Sequence, residues 1–194
     1  AARAQSKSRS ATSKKMAMAE LGRTMEGHAG MVWSVCVSAD GSRLFSGSSD
    51  NTIKVWDVAT GACVQTLQGH TDMVLSVCLS ADGSRLFSGS RDNTIKVWDV
   101  ATGACVQTLE GHTGYVDSVC VSADGSRLFS GSHDKIKVWY VATGACVQTL
   151  QGHRLGVFSV CVSADGSRLF SGSYDKTIKV WDVATGACVQ TLEG

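Results

Sequence analysis

Four sets of side chains at fixed offsets carry the groups that hydrolytic chemistry uses. They are His28, Ser46 and Asp50; His70, Ser88 and Asp92; His112, Ser130 and Asp134; and His153, Ser171 and Asp175. A serine, a histidine and a carboxylate brought together could form a nucleophile, its base and the group that orients the base. A nucleophile is needed once, however, and in a cleft. Here the set occurs four times, each followed by a tryptophan: Trp56, Trp98, Trp139 or Trp181. That regularity speaks for a structural device, and no residue is assigned a catalytic role.

The eight cysteines repeat too, as Cys36 and Cys63, Cys78 and Cys105, Cys120 and Cys146, Cys161 and Cys188. No Cys-x-x-Cys occurs, which weakens zinc and redox readings. The ionisable residues that do not repeat are Asp72, Arg91, Asp117, His133 and Arg154, and they have no metal-ligand spacing. Neither a metal nor a cofactor is expected.

The element behind these offsets is an internal repeat, the signal to seek first in any chain. Gly-His recurs at 27, 69, 111 and 152, with spacings of 42, 42 and 41. Aligned, the four copies differ in only ten of 42 columns. Each copy alternates apolar and polar residues with many β-branched side chains, the pattern of strands. In the first copy Val32 to Val37 ends at Ala39-Asp40-Gly41, a hairpin signal. Arg43 to Gly47, Thr52 to Asp57 and Ala62 to Leu67 follow as three more short strands, separated by Ser49-Asp50-Asn51 and Ala59-Thr60-Gly61. No stretch has helical periodicity. One cysteine of each copy then falls on its first strand and one on its fourth, at opposite edges and too far apart to bridge. Free, buried thiols acting as small hydrophobes are expected, in a reducing, intracellular and cytoplasmic setting.

A period of about 40–45 residues with Gly-His and Trp-Asp marks is the pattern of a propeller blade. Over residues 20–194 the chain resembles the WD-repeat β-propeller family, with Trp56-Asp57, Trp98-Asp99 and Trp181-Asp182 as the name-giving pair. The third copy departs, with Trp139-Tyr140. The resemblance implies an all-β propeller of four-stranded antiparallel blades: blade 1 over 27–68, blade 2 over 69–110, blade 3 over 111–151 and blade 4 over 152–194. It also implies a buried hydrogen-bond chain in each blade, from the Trp indole through the Ser hydroxyl and the His ring to the Asp. The third copy has one residue fewer between Asp134 and Trp139. A tighter turn and a weaker network are expected there.

Four blades make half a ring of the family's larger propellers. Open, such a half would leave apolar faces bare. The expectation is therefore a homodimer of four plus four blades, with a closed four-bladed ring or a piece of a longer repeat chain as alternatives. Residues 20–26 precede the first Gly-His as the fourth strand precedes each later one, so an extra strand is expected there.

The copies diverge in two places. One is the stretch after the His, including Met31, Trp33, Met73, Leu75, Tyr115, Asp117 and Phe158. The other is the residue before the Asp: Ser49, Arg91, His133 and Tyr174. By resemblance, both lie around the channel mouth on the face where such propellers bind partners. These types include the aromatic, Met and Arg anchors enriched at interfaces. Drift would also have marked Ser38 to Ser42 and Ala59 to Gly61, which are identical in all copies. The expected function is a non-catalytic scaffold for a protein or peptide; the alternatives are a carbohydrate or small-ligand binder and a fragment of a larger regulatory protein.

Composition agrees with that class. Of the net charge of +1, residues 1–19 carry +5 (Arg3, Lys7, Arg9, Lys14 and Lys15) and the rest −4. This balance excludes a strongly basic nucleic-acid binder as the default, and no apolar run is long enough for a membrane span. The acid-free tail is expected to be disordered and leaves an organelle-targeting remnant open. The chain opens on Ala1 rather than Met, which suggests a natural start upstream.

Overall fold

The computed structural model describes residues 24–133 and 135–193. It contains sixteen strands in four antiparallel sheets, each with its strands in chain order. The first sheet holds β1 (Val32–Val37), β2 (Arg43–Ser48), β3 (Ile53–Asp57) and β4 (Cys63–Leu67). The second holds β5 (Val74–Leu79), β6 (Arg85–Ser90), β7 (Ile95–Asp99) and β8 (Cys105–Leu109). The third holds β9 (Val116–Val121), β10 (Arg127–Ser132), β11 (Ile136–Tyr140) and β12 (Cys146–Leu150). The fourth holds β13 (Val157–Val162), β14 (Arg168–Ser173), β15 (Thr177–Asp182) and β16 (Cys188–Glu193). Among the described residues no helix is long and apolar enough to cross a membrane.

Turn chemistry explains why some loops do not vary. At the β1–β2 turn Gly41 adopts φ 71°, a left-handed conformation that suits glycine. Asp40 Oδ1 accepts from the Ser38 hydroxyl at 2.6 Å and from the Ser42 amide at 3.0 Å. The same bonds recur around Asp82, Asp124 and Asp165. Each turn needs all of its residues, so each copy keeps them.

The core sits between sheets. Phe45, Ile53, Val55 and Leu67 of the first sheet share a cluster with Val74, Val77, Leu86 and Trp98 of the second, and the next two pairs repeat the arrangement. Glycine permits the close approach: a Cβ on Gly47 would lie 2.7 Å from Val74 Cγ1, and one on Gly89 2.7 Å from Val116 Cγ1. A hydrogen bond also ties neighbouring inner strands. The Ser34, Ser76 and Ser118 hydroxyls accept from the Val77, Val119 and Val160 amides, each at 3.1 Å.

The row has two open ends. Val35 is 59% exposed, whereas its equivalents Val77, Val119 and Val160 are 5–6% exposed. At the far end Ile178 is 48% exposed and Phe170 37%, where the matching residues of the other sheets are at most 1%.

The cysteines correct one expectation. All eight are free, but those of the fourth strands, Cys63, Cys105, Cys146 and Cys188, are exposed rather than buried. They begin the outermost strand of each sheet, where no further strand covers them. Cys161 is exposed at the open end. Cys36, Cys78 and Cys120 lie half-buried on inner strands, and burial pushes the Cys36 and Cys120 thiols up to about 12. The basic tail, residues 20–23 of the expected extra strand, and Asp134 lie outside the described residues.

Candidate functional site

The Trp, Ser and His side chains converge inside each sheet, and in the first, second and fourth the Asp joins them. In the second, the Trp98 indole N–H donates to Ser88 Oγ at 2.8 Å. Ser88 Oγ lies 2.7 Å from His70 Nε2, and His70 Nδ1–H donates to Asp92 Oδ2 at 2.7 Å. An indole can only donate and a carboxylate can only accept. Ser88 Oγ therefore accepts from Trp98, and His70 Nδ1 carries the proton given to Asp92. The first and fourth sheets repeat the chain through Trp56, Ser46, His28 and Asp50 and through Trp181, Ser171, His153 and Asp175. In the third, Trp139 donates to Ser130 at 2.8 Å and His112 Nε2 lies 2.7 Å from it; Asp134 is outside the described residues.

This connectivity is that of a hydrolytic triad, but the hydroxyl is sealed. Ser46, Ser88, Ser130 and Ser171 are buried, and each hydroxyl already accepts an indole proton. No substrate carbonyl reaches such an oxygen. The arrangement instead fastens the outer turn to the inner strands.

Sequence reasoning missed one member of the device. Thr52 donates to Asp50 Oδ1 from its amide at 3.0 Å and its hydroxyl at 2.6 Å, and Thr94 and Thr177 do the same to Asp92 and Asp175. Burial alone would raise these carboxyls. The bonds from Thr, from His and from the amide after the His outweigh it, holding Asp50, Asp92 and Asp175 well below the usual carboxylate range. The available signal was the gap in the third copy, which removes this threonine.

The third sheet shows the local consequence. Ser90 donates to the Asp72 carbonyl at 3.0 Å and accepts from the Asp92 amide at 3.0 Å; Ser173 does likewise with Leu155 and Asp175. The equivalent Ser132 hydroxyl is buried and has no hydrogen-bond partner among the described residues. The neighbouring amide bond, His133 to the Tyr115 carbonyl, is stretched to 3.4 Å against 2.9 Å for Arg91 to Met73.

The divergent positions share a structural place. Trp33, Leu75, Asp117 and Phe158 each fall at the irregularity of the inner strand's pairing, where the register shifts by one. Such a bulge re-aims a side chain out of the regular alternation. Three of the residues before the Asp, namely Arg91, His133 and Tyr174, lie beside these bulges and join one connected line through Tyr115 and Phe158. Asp72 stands 4.0 Å from Arg91. Arg91 covers the Tyr115 ring at 4.7 Å and donates to its hydroxyl at 3.2 Å. Tyr115 meets His133 at 5.6 Å, His133 meets Phe158 at 5.5 Å, and Phe158 meets Tyr174 at 4.0 Å. A Cβ on Gly156 would come within 3.2 Å of His133, so this glycine makes room for the imidazole. Met31 and Trp33 are exposed at the start of the row, while Met73 and Leu75 are half-buried. The Ser49 amide donates to the Met31 carbonyl at 2.9 Å. Asp117 is half-buried with Oδ2 unpaired among the described residues; burial lifts it to about 6, opposed by the nearby His133.

No group of three or more His, Cys, Asp or Glu among the described residues could hold a metal ion. In the third sheet Tyr140 replaces the aspartate that pairs with Arg85 at Asp99 and with Arg168 at Asp182; Arg127 lies over its ring at 5.9 Å instead.

The family profile described as "WD domain, G-beta repeat" matches residues 19–57, 61–99, 103–140 and 144–182. Single stretches are similar to curated proteins. The chain is 59% identical over 39 residues to vegetative incompatibility protein HET-E-1 of Podospora anserina, covering 20% of the chain and 3% of that protein. It is 52% identical over 42 residues to eukaryotic translation initiation factor 3 subunit I of Debaryomyces hansenii, covering 22% and 12%. It is 62% identical over 37 residues to the E3 ubiquitin-protein ligase TRAF7 of Homo sapiens, covering 19% and 6%. The chain thus matches only a small part of each relative, about one repeat long.

Proposed function

The chain belongs to the WD40, G-beta repeat family, and from that premise we propose that it is a non-catalytic scaffold binding a protein or peptide on the face that carries the divergent residues. The supporting observation is the line from Arg91 through Tyr115, His133 and Phe158 to Tyr174. Aromatic and arginine side chains in contact, partly exposed and unlike from copy to copy, are the composition of an interface hot spot. The loops of the opposite face are uniform because their turns require it. Eight free thiols, five of them exposed, favour a reducing, intracellular compartment. A second copy of the chain completes the ring.

The test replaces Trp33, Tyr115, Phe158 and Tyr174 together with alanine. Binding to a peptide array is lost and unfolding stability falls by only about 1–2 kcal/mol, the worth of the surface aromatic contacts removed. Loss of several kcal/mol would make these side chains core and overturn the reading. Wild-type binding to a glycan array and not to peptides would favour a carbohydrate binder.

A further inference from the structure

We propose that the two open ends of the row are the two halves of one joint, that a second copy of this chain occupies them, and that the joint carries the recognition face across from one copy to the other. The proposal rests on the ring-completion reading above and gives it residues.

Three joints of one design already exist within the chain, and each open end presents its half of a fourth. The inner half needs the Val32, Val35 and Val37 edge, which is bare on β1. The outer half needs Phe170, Ile178 and Leu192, which are bare on the fourth sheet. Gly47, Gly89 and Gly131 each admit a valine of the next sheet, whereas a Cβ on Gly172 would meet nothing within 4 Å. That space fits Val32 of the partner subunit. Ser34, Ser76 and Ser118 accept from the next inner strand; the equivalent Ser159 is exposed, aligned to accept from the amide of Val35 of the partner subunit. Gln65 Nε2 donates across a joint to the Thr102 carbonyl at 3.1 Å, and Gln190 stands ready to do so toward Thr60 of the partner subunit.

The occupant follows from the complementarity of the two faces. Residues 1–19, with five basic side chains and no apolar ones beyond alanine, Met16 and Met18, offer little that complements these faces. The faces are continuous with interfaces already made, and burying them returns the transfer free energy that each internal joint has gained. Two copies related by a two-fold axis satisfy both ends at once and leave none free. Eight blades lie within the usual range of four to eight, and three copies would exceed it.

The recognition line gains from this. In two of the three internal joints the residue before the Asp reaches the next sheet: Arg91 reaches Tyr115, and His133 reaches Phe158. Tyr174 is the last such residue, and at 65% it is more exposed than Tyr115 at 37%. By the same rule it meets Met31 and Trp33 of the partner subunit. Each joint then closes an aromatic stretch that one copy cannot make.

The test uses the 194-residue chain. Light scattering after size exclusion gives about twice 20.4 kDa. Val35→Lys alone and Ile178→Glu alone each give the single mass, and an equimolar mixture of the two restores the double mass, because one joint is then wild type and the other pairs opposite charges. Trp33 is half-exposed and the other four tryptophans are buried, so acrylamide quenching reports Trp33. Quenching is at least twofold weaker in the wild type than in the Val35→Lys protein. Retained emission from the buried tryptophans checks that each variant folds. A single mass for the wild type, an unrestored mixture, or equal quenching overturns the inference. Peptide binding by a monomeric chain would leave the scaffold reading standing, so the two failures are distinguishable.

Discussion

His133 and Phe158 stand on neighbouring sheets and meet edge to face, their ring centroids 5.5 Å apart at 84°. Both occupy positions where the copies diverge. The contact therefore joins two divergent places, the residue before the Asp in one copy and the bulge residue of the next. An aromatic pair of this geometry contributes about 0.5–1.5 kcal/mol beyond its burial. A double-mutant cycle of His133→Ala and Phe158→Ala, read by chemical denaturation, gives a coupling energy of at least about 0.5 kcal/mol. Strict additivity would mean that the two rings are neighbours without interaction.

The Ser88 hydroxyl serves both Trp98 and His70. Ser88→Ala leaves an indole N–H and an imidazole nitrogen buried without partners. The expected loss is roughly 2–4 kcal/mol of unfolding stability.

Ser132 and Ser90 are equivalent in sequence and unequal in bonding. Ser90→Ala removes two hydrogen bonds and costs about 1–2 kcal/mol, whereas Ser132→Ala removes a hydroxyl that has no partner and costs no more than about 0.5 kcal/mol. Two equal losses in urea titrations would show that the shortened turn of the third copy is bonded as well as the others.

Asn51, Asn93 and Lys176 adopt φ of 67–69° at one turn position. Asparagine enters this left-handed region at lower cost than lysine. Lys176→Asn raises stability by roughly 1 kcal/mol, measured as a higher denaturant midpoint at unchanged slope.

Acid weakens the fold through its aspartates. Hydrogen bonds from Ser and backbone amides hold Asp40, Asp82, Asp124 and Asp165 down at about 2, and Asp50, Asp92 and Asp175 lie lower than usual too. A group depressed in the folded state stabilises above its unfolded value of about 3.9 and loses that contribution as pH falls through the folded value. The melting temperature therefore drops between pH 4 and pH 2. A flat profile there would mean that these bonds are absent in solution.

The repeat in the sequence determined most of the architecture. Gly-His, Asp-Gly and Trp-Asp at a period of 42 residues specify turns and strands locally, since left-handed glycines, Asx turns and β-branched alternation act over a few residues. Sequence also singled out the divergent positions, because Tyr115, His133 and Phe158 stand out against columns that do not change. Other properties depend on what lies across space. The cysteine at 36 and the cysteine at 63 look alike in the sequence, yet one lies on an inner strand beside another sheet and the other on an uncovered outer one. The role of Thr52 depended on Asp50 folding back beneath it. The linking of Arg91 to Tyr115 came from the stacking of one sheet on the next, and that of His133 to Phe158 from the stacking together with the bulge at Phe158. Near-identical copies differ most at their open ends, where Val35 and Ile178 are bare because no neighbour is present. Local chemistry sets the strand; burial is set by the neighbour, and only the tertiary arrangement supplies it.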